Sequence, residues 1–376
     1  MFRFGNDRWG ALLAAALARG YGRNRFHTLD GGHPPEREEA AVPRLDDVAR
    51  AAGVSKATAS RALSGAPGVA ARTRERVQRA ADELGFRASG AARRLATGVT
   101  RTIGVLTPSV NRWYFGSVLH GIAHAADLHD HDVLLYDLGA FGTGGHEKFE
   151  RFMRRGEVDG LVTITWSLVG GDLTRLAELG IPVATVGEPT PHTRSFALDD
   201  DAAGEQAAEH LVRLGHTDLL HLASETEVQP FDASSSDRRM QAFQRVSERH
   251  GLRLRPPLTV PTTLEGAHLA ARGILARADR PTGIVAGTDE VAMGVLLAAH
   301  QLGIRIPDEL SVTGVDDVPA AAAFGLTTIR QDPAQHGEDV VAWIMAALQE
   351  PDGEPDRSHT AYVPVLVVRS STGPPP

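Results

Sequence analysis

The stretch LDDVARAAGVSKATASRAL, residues 45–63, constrains this chain more than any other. Leu45, Val48, Ala49 and Ala52 recur at helical spacing, which predicts a helix over 45–51 with one apolar face. Gly53 follows, where a helix often ends in left-handed backbone. Ser55 then offers a side-chain oxygen to the orphan N–H groups of a second helix. Two short helices joined by a tight turn make a helix-turn-helix, whose second helix enters the major groove of DNA. A third helix over 72–84, ended by Gly85, completes a small core with Ala59, Ala62, Leu63, Val77, Ala80, Ala81 and Leu84.

The second helix carries the chemistry that duplex DNA requires. Arg61 can donate a bidentate fork to guanine O6 and N7, and Ala57 can pack on a thymine methyl. Lys56 reaches a guanine or a phosphate. The hydroxyls of Ser55, Thr58 and Ser60 suit phosphate oxygens, which position a protein without reading sequence. Charge supports the assignment. Residues 44–101 hold 12 Lys and Arg against 5 Asp and Glu, a surplus of seven positive charges. Residues 1–43 hold 6 against 5, so with a net charge of −8 the remainder carries sixteen excess negative charges. A basic head on an acidic body fits a protein that touches phosphate at one end only.

Residues 1–43 read as an appendage, expected to be disordered apart from a short helix at 9–18. One expectation is that translation starts at Val42 rather than at Met1. Residues 86–101, small and basic, form a candidate hinge in which Ser89 caps a short helix over 90–96. From Thr102 the pattern changes. Short β-rich runs (TIGVLTP, VLLYDL, GLVTIT, PVATVG, FALDD, DLLHLA, GIVAGT, LSVTGV, TTIRQ) alternate with helical stretches at 116–129, 203–214, 237–250, 266–278 and 290–302. That alternation predicts parallel sheets covered by helices on both faces. About 275 residues are too many for one compact sheet, so two lobes are expected. The fold class is thus α/β: an all-α helix-turn-helix head at 44–85, a hinge at 86–101, and a doubly wound, two-lobed body at 102–376.

The chain contains no cysteine, which excludes disulfides, thiolate metal sites and a cysteine nucleophile. The glycines of LGAFGTGG, 138–145, lack the G-x-G-x-x-G spacing of a dinucleotide loop, and no G-x-S-x-G elbow occurs. His120, His124, His129 and His131 lie close together, but 16 histidines make such groupings common, and no metal is assigned to them. No apolar run reaches the ~20 residues that span a bilayer. The expectation is a cytoplasmic protein, not an enzyme, with no cofactor and no membrane partner.

Residues 45–63 resemble the LacI/GalR family of bacterial transcriptional regulators. The family pattern D-V-A-x-x-A-G-V-S-x-x-T-x-S-R-x-L is met, with Ala59 and Ala62 in place of commoner, bulkier residues. The likeness continues through Gly68-Val69, Thr73–Val77 and Leu84-Gly85-Phe86, and runs from Thr102 to Thr372 through Val158-Asp159-Gly160, Leu214-Gly215-His216, Gly314–Asp317 and Thr327–Gln331. The resemblance implies a homodimer on a palindromic operator, a repressor more often than not, whose affinity is set by a small molecule such as a sugar. It also implies a hinge helix whose leucine wedges into the minor groove. By position that leucine is Leu95, with Ala92 and Arg93 beside it, although Ala88-Ser89 replaces the usual Pro-Asn pair. In the body it implies a module similar to periplasmic sugar-binding proteins. Asn111, Trp113, Tyr114, Asp199, Arg239, Asp289, Asp316 and Gln331 are then candidates for the effector site. Thr288 stands where the family often has asparagine. Gly187 stands where it often has aspartate, with Glu188 next in line. The alternative is a sugar-binding receptor module without a regulatory role.

Overall fold

The computed structural model describes residues 43–65, 68–86, 99–139, 145–155, 158–165, 172, 175, 176, 178–190, 192–225, 234–350, 353, 354 and 356–376. They divide into two compact units at the Ala88/Ser89 boundary. The appendage and the hinge residues Ala92, Arg93 and Leu95 lie outside the described residues.

Among the described residues the first unit has three helices: α1 (Leu45–Ala51), α2 (Lys56–Leu63) and α3 (Ala71–Leu84). Gly53 adopts φ +62° between the first two, and Gly85 ends α3 in the left-handed region at φ +64°. The Ser55 side chain accepts from the Thr58 N–H at 3.2 Å and so starts α2. Val48, Ala59 and Val77 are fully buried at the centre, flanked by Ala49, Ala52, Ala62, Ala80 and Ala81. Leu45 and Leu63 are partly buried against this cluster. Leu84 departs from expectation: it is the last residue of α3 and 38% exposed, outside the buried cluster. Alanines at the crossing points let three short helices approach closely, at the cost of a small core.

The second unit holds two sheets. The first runs in the order β12-β5-β4-β3-β1-β2, built from β1 (Thr102–Thr107), β2 (Asp132–Asp137), β3 (Gly160–Ile164), β4 (Val183–Val186), β5 (Arg194–Leu198) and β12 (His359–Tyr362), every pair parallel. Helices α4 (Trp113–Leu128), α5 (Gly145–Arg155) and α11 (Pro333–Gln349) pack on it. The second sheet runs β13-β11-β10-β9-β6-β7, with β8 also paired to β6. Its strands are β6 (Asp218–Ser224), β7 (Arg253–Leu254), β8 (Leu258–Val260), β9 (Gly283–Ala286), β10 (Ser311–Asp316), β11 (Thr327–Arg330) and β13 (Val365–Val367). Only β13 pairs antiparallel among these ladders. Helices α6 (Asp200–Arg213), α7 (Ser235–Arg249), α8 (Leu264–Leu275), α9 (Asp289–Gln301) and the short α10 (Pro319–Ala323) cover it.

Continuous apolar strands explain the layers. β3 and β9 are buried along their whole length, as strands covered on both faces must be. Each lobe has two apolar clusters, one per face of its sheet. In the first lobe α11 lies tightly on α4. A Cβ on Gly121 would stand 1.9 Å from the Ala334 carbonyl oxygen, and one on Gly337 would stand 2.3 Å from that of Val118. The chain crosses between lobes three times: from β5 into α6, from β11 into α11, and from β12 into β13. Asp199 and Gln331 sit on the first two crossings.

Candidate functional site

In the head, Ser55, Lys56, Ala57 and Arg61 are exposed, and Thr58 and Ser60 are half-buried. Ser55 is committed to its helix: besides the cap, its hydroxyl lies 2.8 Å from that of Thr58. Lys56 reaches back to Asp46 at 3.0 Å. Both groups are over half exposed, so this pair is weak and yields readily to a phosphate. Ala57 and Arg61, one turn apart, share a helix face with no apolar cover. That face can do what the sequence asked of it, offering a planar fork and a methyl-sized contact to a groove.

In the body, the residues that follow β1, β4, β9 and β10 converge, at the carboxyl ends of strands where open α/β sheets bind ligands. Trp113 and Tyr114, in the first turn of α4, divide between lobes: Trp113 packs against the apolar cluster of the second, Tyr114 against that of the first. Beside them Arg112 pairs with Glu290 of α9 at 3.7 Å and lies 5.7 Å from the Phe115 ring centroid. Arg239 of α7 is the buried cation of the site. Its Nε donates to Asp200 at 2.7 Å and its Nη1 to the Gly287 carbonyl at 2.8 Å. Burial and the facing carboxylates of Asp200 and Glu188 push the Tyr114 phenol up, while Arg239 opposes them.

Three further carboxylates belong to this region, and of these Asp316 acts directly on the Arg239 charge. Asp316 ends β10 with φ +131°, a strained conformation for a residue with a Cβ, and accepts from the Gln331 amide at 2.5 Å. Asp289 is fully buried and both its oxygens are taken: the Val318 N–H donates at 2.9 Å and the Thr328 hydroxyl at 2.5 Å. Burial raises both acids, mutual repulsion adds to it for Asp289, and Arg239 holds Asp316 down. Glu188 crosses the cleft. It accepts from the Ser235 N–H at 3.2 Å and hydroxyl at 3.1 Å, with Arg238 at 3.5 Å, and burial pushes it up to about 7.

The structure therefore gathers Tyr114, Arg239, Asp316 and Gln331, and places Trp113 and Asp289 at the edge of the group. Asp289 holds the β10–α10 turn to β11, which leaves its oxygens little capacity for a ligand. Asp199 is occupied as the cap of α6, accepting from the Ala202 N–H at 2.9 Å. Asn111 is exposed, its backbone N–H on the Ser109 hydroxyl at 3.3 Å. Thr288 caps α9. Gly187 has φ +95°, and a Cβ there would stand 2.5 Å from Thr165 Cγ2 and 2.8 Å from the Tyr114 hydroxyl. No side chain fits there, so the carboxylate of the next residue serves the cleft. Sequence reading missed Asp200, Ser235 and Arg238. The run Asp199-Asp200-Asp201 held a signal, but only helix phase tells which of three acids turns inward.

Known proteins resemble the chain over most of its length. Residues 44–89 match the model of bacterial regulatory proteins, lacI family, and residues 208–372 that of a periplasmic binding protein-like domain. The HTH-type transcriptional regulator reg1 of Streptomyces lividans is 33% identical over 348 residues, 88% of this chain and 96% of that protein. The HTH-type transcriptional repressor PurR of Vibrio vulnificus (strain CMCP6) is 28% identical, over 87% of this chain and 98% of that one. Among solved structures, the lac repressor dimer bound to operator and the anti-inducer ONPF superposes with a TM-score of 0.77, at 24% identity, over 88% of this chain and 99% of that one. That last likeness speaks for the fold. With a capped recognition helix, a two-lobed α/β body and relatives matching both, this chain belongs to the LacI family of bacterial regulatory proteins.

Proposed function

We propose that the protein is a ligand-responsive transcriptional repressor that works in the cytoplasm and binds a palindromic operator as a homodimer. Residues 44–85 grip the major groove, 86–101 link head to body, and 102–376 sense a small hydroxyl-rich molecule such as a sugar. Lys56, Ala57 and Arg61 read bases, while Ser55, Thr58 and Ser60 hold phosphates. Ala92, Arg93 and Leu95 act in the minor groove, where an apolar wedge unstacks a base step. Two heads meet two half-sites because operator symmetry mirrors that of the dimer. The ligand sits among Asn111, Trp113, Tyr114, Asp199, Arg239, Asp289, Asp316 and Gln331, with Tyr114, Arg239, Asp316 and Gln331 as its central contacts. It acts by preferring one lobe arrangement, since only differential affinity shifts a conformational equilibrium.

The observation that carries this reading is the open face of α2, with Arg61 and Ala57 exposed behind the Ser55 cap. The test is a gel shift on the gene's own upstream region across a salt series. A regulator binds there and loses affinity steeply as salt rises. Arg61→Ala should cost about 1–3 kcal/mol of discrimination between specific and random duplex. Equal binding of mutant and wild type to both duplexes defeats the assignment; a receptor module or an enzyme shows no specific shift.

A further inference from the structure

The body begins at a clamp. Asp159 lies just before β3, and its side chain is nine-tenths buried. Oδ1 accepts from the Thr100 N–H at 2.8 Å and the Thr100 hydroxyl at 2.9 Å. Oδ2 accepts from the Arg101 N–H at 2.6 Å, and His131 Nε2 lies 3.7 Å from it. The Asp159 N–H in turn donates to the Thr102 carbonyl at 2.8 Å. Arg101 is held from the other side as well: its carbonyl accepts from the Asp132 N–H at 2.8 Å, and its guanidinium pairs with Asp130. Arg101 has φ +53°. A residue with a Cβ keeps that conformation only where its surroundings over-determine it.

Position gives the clamp its meaning. Thr100 and Arg101 are the last residues before β1, so the covalent link between the body and the preceding chain runs through them. The clamp sits where β1, β2 and β3 start, at Thr102, Asp132 and Gly160. The cleft lies beyond the other end of the same strands, where β1 leads into Arg112, Trp113 and Tyr114. β1 is hydrogen-bonded to β2 on one side and β3 on the other. Six residues of strand make a strut about 20 Å long, and a strand paired on both sides is stiff. Such a strand ties the cleft end of the lobe to the clamp end.

We propose that Asp159 is the positioning residue that fastens the DNA-binding end of the chain to this strut, so that its loss weakens DNA binding without removing any DNA contact. The inference rests on the regulatory reading above. Loosening the clamp lets Thr100 and Arg101 swivel, so the point at which the chain leaves the body is no longer held, and DNA binding then costs the ordering of that segment.

The test uses the full chain with Asp159→Asn and Thr100→Val. Asparagine keeps the volume, but its amide turns a donor toward the Arg101 N–H, and valine removes one hydroxyl. Hydrogen exchange should speed up at the Thr100 and Arg101 amides by about tenfold in Asp159→Asn, the loss of one charge-assisted hydrogen bond. Exchange in β5 and the second lobe should stay at the wild-type rate, which shows the body intact. On a duplex selected from a random pool by the wild type, Asp159→Asn should bind about tenfold more weakly and Thr100→Val about threefold. The slope of log affinity against log salt should not change, because the phosphate contacts are the same. Faster exchange with unchanged affinity overturns the inference, as does exchange that stays slow. A reduced salt slope overturns it too, since Asp159 would then govern phosphate contacts. A wild type that enriches no sequence refutes the regulatory reading itself, and this inference with it.

Discussion

Arg239 and Asp200 make the most demanding prediction. Their side chains are 10% and 2% exposed, and they meet at 2.7 Å between α7 and α6. Arg239→Met keeps most of the packing volume but leaves the Asp200 carboxylate buried with its cation gone. It also strips the Gly287 carbonyl of its donor. Removing one partner of such a pair costs about 3–5 kcal/mol. For a body of this size each kcal/mol moves the melting temperature by roughly 2–4 °C, so the expected drop is roughly 6–20 °C. Asp200→Asn should fall at the lower end, because its amide still accepts from Arg239 while losing the charge. The double variant Asp200→Leu with Arg239→Met should recover at least half of the loss, since it buries no charge. The assay is calorimetric or fluorescence-detected melting of the full chain, following the body transition. If Arg239→Met melts within 2 °C of the wild type, the guanidinium is not the buried counter-charge, and the electrostatic account of the cleft fails. A double variant as unstable as the worse single one refutes the coupling argument specifically.

Other perturbations test separate links. Gly187→Ala forces a Cβ against Thr165 and Tyr114 at positive φ, and should lower stability by about 1–3 kcal/mol in melting experiments; an unchanged melting temperature refutes the steric account. Ser55→Ala removes the α2 cap and should destabilise the head by about 0.5–2 kcal/mol, read from the loss of helical circular dichroism on heating. For Glu188, burial raises the folded value to about 7 from 4.5, so the folded state binds the proton more tightly than the unfolded one. Its contribution to stability is then most favourable below about 4.5, declines as pH rises through the window up to about 7, and is least favourable above it. Glu188→Gln should therefore gain on the wild type between pH 5 and pH 8 in paired melting curves, and a difference that does not vary with pH contradicts the assignment.

Much of this molecule was legible because its signals are local. Helix α1 follows from the spacing of Leu45, Val48, Ala49 and Ala52, and α2 from Ser55, since a cap and a period need only neighbours in sequence. The nine β-rich runs all became strands for the same reason, since an apolar run is read from neighbours alone; eight are largely buried, and β2, at the sheet edge, is half exposed. The long helix α11 was not singled out, although Val340, Val341, Ile344 and Met345 mark its buried face. The cleft was legible only in part. Arg239, Asp289 and Asp316 were singled out, but whether each carboxylate is spare or occupied depends on donors far away in the chain: Val318 and Thr328 for Asp289, Gln331 for Asp316. Leu84 looked like core by period and lies exposed at the last position of α3, since periodicity gives a helix its apolar side and not how far along it is buried.

The sequence by itself determined a DNA-reading helical head on an acidic two-lobed body, because caps, turns, charge balance and hydrophobic period act over a few residues. Only the tertiary structure decided which ionisable groups share one buried space. The β5–α6 crossing and the pairing of the second sheet bring Asp200, Glu188, Arg239 and Asp316 together from distant segments, and burial there raises the three acids. The same holds for Asp159, 58 residues from the Arg101 amide that it grips. Such a contact exists only once the strands have paired, and no local pattern encodes it.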